Sequence, residues 1–143
     1  MRITFPYMGY SHLVFKQLLS ELGHEPIVPP NPTKRTLDYG THHSPEFACI
    51  PFKVLLGSYL EAIELGAEAV VTTGGVGPCR AGYYAPLHKR ILADLGYDID
   101  FIVLEPPLRN IKDFYQQLRK LIPRGIGMGN LFRILHRAWI KLN

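Results

Sequence analysis

Up to Pro123, apolar segments of two different periods alternate along the chain, and the connections between them are too short for anything but a layered α/β fold. "RITFPYM" has the β-branched and aromatic residues of a strand. "YSHLVFKQLLSELG" follows with Leu13, Val14, Leu18, Leu19 and Leu22 at helical spacing and Gly23 as the stop. "HEPIVPP" reads as a short strand ended by Pro29 and Pro30, which can neither extend a ladder nor open a helix at once. The turn at Asn31, Pro32 and Thr33 leads into "KRTLDYG", a short helix with Thr33 as cap. "HHSPEFACIPFKVLLGSYLEAIELG" repeats the theme at greater length. Pro51 stands near its first turn, Val54, Leu55, Tyr59, Leu60 and Ile63 form an apolar face, and Gly66 is the stop. "AEAVVTT" is then a strand, "AGYYAPLHKRILADLGY" a helix, "DIDFIVLEPP" a strand and "NIKDFYQQLRKLIP" a helix. Strands separated by helices need crossovers, which make sheet neighbours parallel and cover both faces. The expected fold is an open, mostly parallel α/β sheet of the Rossmann-like (flavodoxin-like) kind, with helices on both faces.

Residues 1–123 therefore read as one α/β domain and residues 124–143 as a basic helical segment. The helical periodicity of "LFRILHRAWIKLN" runs to Asn143 with no glycine or proline beyond it, so the segment is expected to lead into a further half of a longer protein. There is no internal repeat and no low-complexity tract. Hydrophobic residues at 47% and charged ones at 20% argue against disorder. No apolar run approaches the roughly 20 residues of a membrane span. The opening "MRITFPYMGY" is broken by Pro6 and lacks a signal-peptide layout, so a cytoplasmic location with no membrane partner is expected. The net charge of +4 comes largely from Arg119, Lys120, Arg124, Arg133, Arg137 and Lys141. Such a segment reads as a solvated helix face, and no nucleic-acid partner is expected.

The chemistry of the chain centres on "GGVGPCRAGYY", Gly74 to Tyr84, where a strand gives way to a helix. In open α/β folds the ligand crevice lies outside the carboxyl ends of the strands. Glycines there allow close backbone approach, although a tight turn needs them for geometry alone. Gly75, Gly77 and Arg80 miss the third glycine of a dinucleotide fingerprint, and Gly77 to Gly82 lacks the Lys and Ser/Thr of a phosphate loop, so NAD and ATP are set aside. The position six residues after Cys79 is Ala85, which rules out a phosphatase loop, and no CxxC pair occurs.

The chain has two cysteines, Cys49 and Cys79. Each falls in a loop near a helix start and each has a proline neighbour, Pro51 or Pro78. A disulfide would be unusual in a cytosolic chain, and a cysteine packed as a small hydrophobe is the plain alternative. If both helix starts reach the same sheet edge, two thiols converge there, and a helix start favours the thiolate that binds iron or acts as a nucleophile. His12 is expected on the same edge, His42 and His43 as loop residues, and His88 and His136 as solvated helix residues. Tyr83 and Tyr84 either wall the site or cover a core edge.

The stretch "SPEFACIPFKVLLGSYLEAIELGAEAVVTTGGVGPCRAGYY" resembles the iron–sulfur proteins related to the D-component of 2-hydroxyacyl-CoA dehydratases, also labelled CoA-substrate-specific enzyme activases or activase-related proteins. The likeness runs from "PYMGYSHLVFKQLLSELGHEPIVPP" to "FIVLEPP" and is most specific at the two cysteine loops. It implies an oxygen-sensitive iron–sulfur cluster, [4Fe–4S] or a larger relative, held by cysteines at strand ends. It also implies an ATP-dependent activase as electron donor and the radical dehydration of a 2-hydroxyacyl-CoA. Carried over residue by residue, Cys49 and Cys79 match ligand positions. Gly74, Gly75 and Gly77 would let the backbone approach the cluster, and Arg80 would offset its charge. The family pattern uses a third cysteine downstream that this chain lacks, so a second copy, a partner subunit or a C-terminal half would complete the site. Two other readings stand beside it. One is a cofactor-free enzyme with Cys79 as nucleophile and His12 or His43 as base. The other is a non-catalytic domain whose Arg133, Arg137 and Lys141 dock a partner.

Overall fold

The computed structural model describes residues 1–75, 80–105 and 111–122, together with residues 129–130, 133–134, 136–137 and 140 of the last segment, which are helical. The elements are β1 (Arg2–Thr4), α1 (Ser11–Glu21), β2 (Glu25–Ile27), α2 (Lys34–His43), α3 (Ile50–Glu64), β3 (Ala69–Thr73), a 3₁₀ turn (Arg80–Tyr83), α4 (Tyr84–Asp94), β4 (Asp100–Leu104) and α5 (Ile111–Leu121). The four strands form one sheet in the order β2-β1-β3-β4, with every described pairing parallel. The expected open α/β sheet is thus the observed one. The chain moves outward from β1 to β2, then returns through α2 and α3 to pair β3 with the other side of β1. The strand order therefore reverses between β1 and β3. Pro26, which has no N–H for a ladder, sits in β2 on the edge of the sheet.

Side-chain alternation divides the core between two layers. Ile3, Phe5, Ala69, Val71 and Ile102 face one side, where Leu19 of α1 and Leu121 of α5 cover them. Val70 and Phe101 face the other, beneath Phe52, Leu56, Tyr59 and Leu60 of α3 and Leu92 of α4. Leu13, expected inside, is 56% exposed, because α1 turns only its Phe15–Leu19–Leu22 side to the sheet.

Helix α3 is buried over residues 56–62 because it is covered twice, by the sheet on one side and by α2 on the other. The α2–α3 contact is made backbone to backbone. A Cβ on Gly40 would fall on the Lys53 carbonyl, and one on Gly57 on the Thr36 carbonyl. This corrects the expected end of α2. Gly40 is a packing glycine, not a stop, so the helix continues through His42 and His43, which close its last turn instead of lying in a loop. Thr33 does precede the helix, its N–H donating to Thr36 Oγ1 at 2.9 Å, and the Thr36 hydroxyl in turn donates to the buried Glu61 carboxylate at 2.8 Å.

Helices α1, α3 and α4 end alike. Each closes on the pattern acid-Leu-Gly-x-acid: Glu21 to Glu25, Glu64 to Glu68 and Asp94 to Asp98. The glycines take φ of +81°, +90° and +87°. The next residue donates back into the last turn, as in His24 N–H to the Leu19 carbonyl at 2.9 Å. No longer repeat accompanies these pentapeptides. No helix among the described residues is long and apolar enough to cross a membrane.

Candidate functional site

Helix α3 runs back against the direction of β3, so its first turn lies at the rim where the strands end. The chain leaves β3 at the same rim and enters α4 there. Cys49 is the residue before α3, in extended conformation (φ −72°, ψ 158°), and Pro51 fits the first turn because no N–H is needed there. Tyr84 is the first residue of α4. The two meet, with the exposed Cys49 Sγ 2.6 Å from the Tyr84 hydroxyl. The start of α3 and the start of α4 therefore share one edge, the condition on which any convergence of the two cysteine loops depends.

Between them opens a pocket of about 310 Å³. Pro45, Phe47, Ala48 and Cys49 line it from the α2–α3 loop, Phe52 from α3, and Tyr83, Tyr84 and Leu87 from the start of α4. Both tyrosines wall the site. The lining is apolar except for the thiol and the phenols, a composition typical of a small-molecule or cofactor site. Its rim is exposed, Phe47 at 80% and Tyr83 at 74%. A larger and shallower recess of about 560 Å³ lies along α2 beside Lys34, Arg35, Asp38, Tyr39, His42 and His43. There Arg35 stacks over Tyr39 and pairs with Glu64 at 2.7 Å. The Tyr39 hydroxyl and then Arg35 hold the Glu64 carboxyl below its usual range. That recess is shallow, runs along the outer helix α2, and has its Arg35 already paired with Glu64, so the Cys49 pocket at the strand-end rim is the better candidate.

An aromatic floor lies under the pocket. Phe52 meets Tyr84 edge-on at 5.2 Å and packs against the His88 ring at 4.1 Å, and Tyr59 approaches His88 edge-on at 5.4 Å. His88 is 1% exposed, which corrects its expected place in solvent. Its neighbours Lys89 and Arg90 are exposed, but His88 itself falls on the inward stripe of α4 with Tyr84 and Leu92. Burial pushes its pKa down to about 4, partly countered by a hydrogen bond to the Phe52 carbonyl. With Nε2 3.1 Å from that oxygen, Nε2 carries the proton of the neutral ring. Burial also pushes Tyr59 up to about 12, against the hydrogen bond from its hydroxyl to Thr72 Oγ1 at 3.4 Å.

In the glycine turn, a Cβ on Gly74 would stand 2.6 Å from Glu105 Cγ, and one on Gly82 would fall on the Gly75 carbonyl oxygen. Close approach of the chain to itself is thus one reason for these glycines. Gly77 and Cys79 lie outside the described residues. Arg80 opens the 3₁₀ turn that leads to Tyr83, and its side chain is likewise outside the description.

Neither candidate base reaches the Cys49 pocket among the described residues, although His12, in the first turn of α1 after β1, is at the strand-end side of the sheet. His12 donates from Nδ1 to the Gly9 carbonyl at 2.8 Å and stacks on Tyr7, while His43 packs between His42 and Tyr39 on α2. Arg133, Arg137 and His136 are exposed, and Lys141 is outside the description. Among the described residues no group of three or more His, Cys, Asp or Glu side chains converges as a metal site. Sequence reasoning missed His88 and gave Tyr84 no chemical role. The four-residue spacing of Tyr84, His88 and Leu92 was the available signal. Comparison of the chain with protein-family models, curated proteins and solved structures finds no match in any of the three.

Proposed function

We propose that this chain is an iron–sulfur protein related to the 2-hydroxyacyl-CoA dehydratase D-component and its activase-related relatives. Cys49 and Cys79 would bind a [4Fe–4S] cluster or a larger relative at the rim of the sheet. The observation that supports this reading is the exposed Cys49 thiol at the start of α3, facing the start of the helix that the chain enters just after Cys79. The donors suit half of such a group. A cluster of this kind has up to four thiolate positions, and the chain brings two cysteines. A second copy, a partner subunit or further residues of a longer chain would bring the rest, with an ATP-dependent activase as electron donor.

When bound, the cluster would supply low-potential one-electron chemistry, for electron transfer or for dehydration of a 2-hydroxyacyl-CoA. The protein's own part is to hold and shield the sulfur. The Tyr84 hydroxyl, in contact with the sulfur, would donate to a thiolate there, the first-turn N–H groups of α3 would offset negative charge, and Phe47, Tyr83 and Leu87 line one side of the pocket. Gly74 and Gly75 keep side chains away from the rim, and Arg80 would add a positive charge. Anaerobic reconstitution of the full gene product with iron and sulfide tests the reading. Broad visible absorption and acid-labile sulfide are expected in the wild type and lost in Cys49→Ala and Cys79→Ala. A wild-type protein that takes up neither iron nor sulfide would sink it.

A further inference from the structure

We propose that His88 is the positioning residue of this site: by tying the first turns of α3 and α4 together, it holds the Tyr84 phenol against the Cys49 sulfur. Two cross-links bridge these helices one above the other. The upper is Cys49 to Tyr84, and the lower, three residues along α3 and four along α4, is Phe52 to His88. The upper link is exposed. A thiol–phenol contact in water contributes little unless its partners are already held in place. The lower link is dry, with His88 Nε2–H donating to the Phe52 carbonyl and its ring packed between Phe52 and Tyr59. The ring also stands 5.9 Å from that of Tyr84, one turn before it on α4. Unlike α2 and α3, which meet backbone to backbone, α3 and α4 are joined through side chains, so their spacing depends on such links. The low pKa of His88 keeps the ring in the neutral form near pH 7.

The proposal rests on Cys49 being the working sulfur of the site, but its test reads the metal-free protein. Absence of iron would therefore leave it standing, and its own failure would leave the iron reading standing. Alkylation of Cys49 by iodoacetamide is followed at fixed pH by peptide mass spectrometry, which separates Cys49 from Cys79. Tyr84→Phe is expected to change the rate roughly threefold to tenfold, the effect of one hydrogen bond. His88→Leu should change it by the same factor in the same direction, and the double variant by no more than either alone. His88→Gln, whose amide N–H can reach the Phe52 carbonyl, should restore the wild-type rate within about twofold. His88→Phe keeps a ring and drops the donor, and replaces His88→Leu if that variant does not fold. An unchanged rate in Tyr84→Phe, an unchanged rate in the His88 variant lacking the donor, multiplying factors in the double variant, or a folded His88→Gln that fails to recover would each overturn the proposal.

Discussion

On one face of the sheet, α1 and α5 close over Ile3, Phe5, Val71 and Ile102 with aliphatic and phenyl side chains. On the other, α3 and α4 cover Val70 and Phe101 and bring buried Ser58, Glu61 and His88 with them, while Thr72 reaches in from β3 and Thr36 from α2. The two layers are equally apolar at their centres. They differ in what they accept besides. Several polar groups buried on the α3–α4 side are paired, Thr36 with Glu61 and His88 with the Phe52 carbonyl, whereas the buried Thr4 hydroxyl, beside Val70 in the sheet, has no hydrogen-bond partner among the described residues. A layer that spends polar groups inside a core is holding particular side chains in particular places. Here those places are the α2–α3 contact and the floor of the Cys49 pocket.

The contrast can be broken at its most rigid point first. In Gly57→Ala the new methyl meets the Thr36 carbonyl, a backbone atom that cannot turn aside. A loss of about 3 kcal/mol or more is expected in urea denaturation, and a loss below about 1 kcal/mol would mean that α2 simply slides away. Acid acts next, through His88. Its folded pKa of about 4 lies below the ordinary 6.5, so the unfolded chain takes up the proton first as pH falls. The stability that the buried neutral ring contributes is complete above pH 6.5, declines as pH drops, and is gone by about pH 4. The loss amounts to roughly 3 kcal/mol at most. His88→Phe should lack this component, so that the stabilities of the two proteins converge between pH 7 and about pH 4. Parallel pH profiles would remove His88 from the account. The smallest effect belongs to the rim. Phe47 is 80% exposed, and Phe47→Ser should shift the unfolding free energy by less than about 0.5 kcal/mol. A larger cost would make the pocket rim part of the fold and not a surface kept open.

Much of this was legible along the chain. Apolar strand runs such as "AEAVVTT" and stops such as Gly23 and Gly66 act locally, through β-propensity and the left-handed conformation that glycine accepts, and the elements they mark are those observed. Strand–helix alternation left open whether the starts of α3 and α4 share a rim, and the assembled sheet brings them together there. What failed depended on distant neighbours. Gly40 has the composition of a helix stop, and only the Lys53 carbonyl pressed against it shows otherwise. His88, beside Lys89 and Arg90, has the neighbours of a surface residue. Only its four-residue spacing from Tyr84 and Leu92 pointed inward, and its burial is completed by α3 lying across it, with Phe52 and Tyr59 packed against the ring.

Local sequence thus determined which segments are strands and which are helices, because φ, ψ and periodicity are set by a residue and its nearest neighbours. The β2-β1-β3-β4 order, the doubled cover over α3 and the meeting of Cys49 with Tyr84 were decided only in the assembled molecule. Those contacts join residues far apart in the chain, and their energy exists only once both surfaces have been brought together and dried.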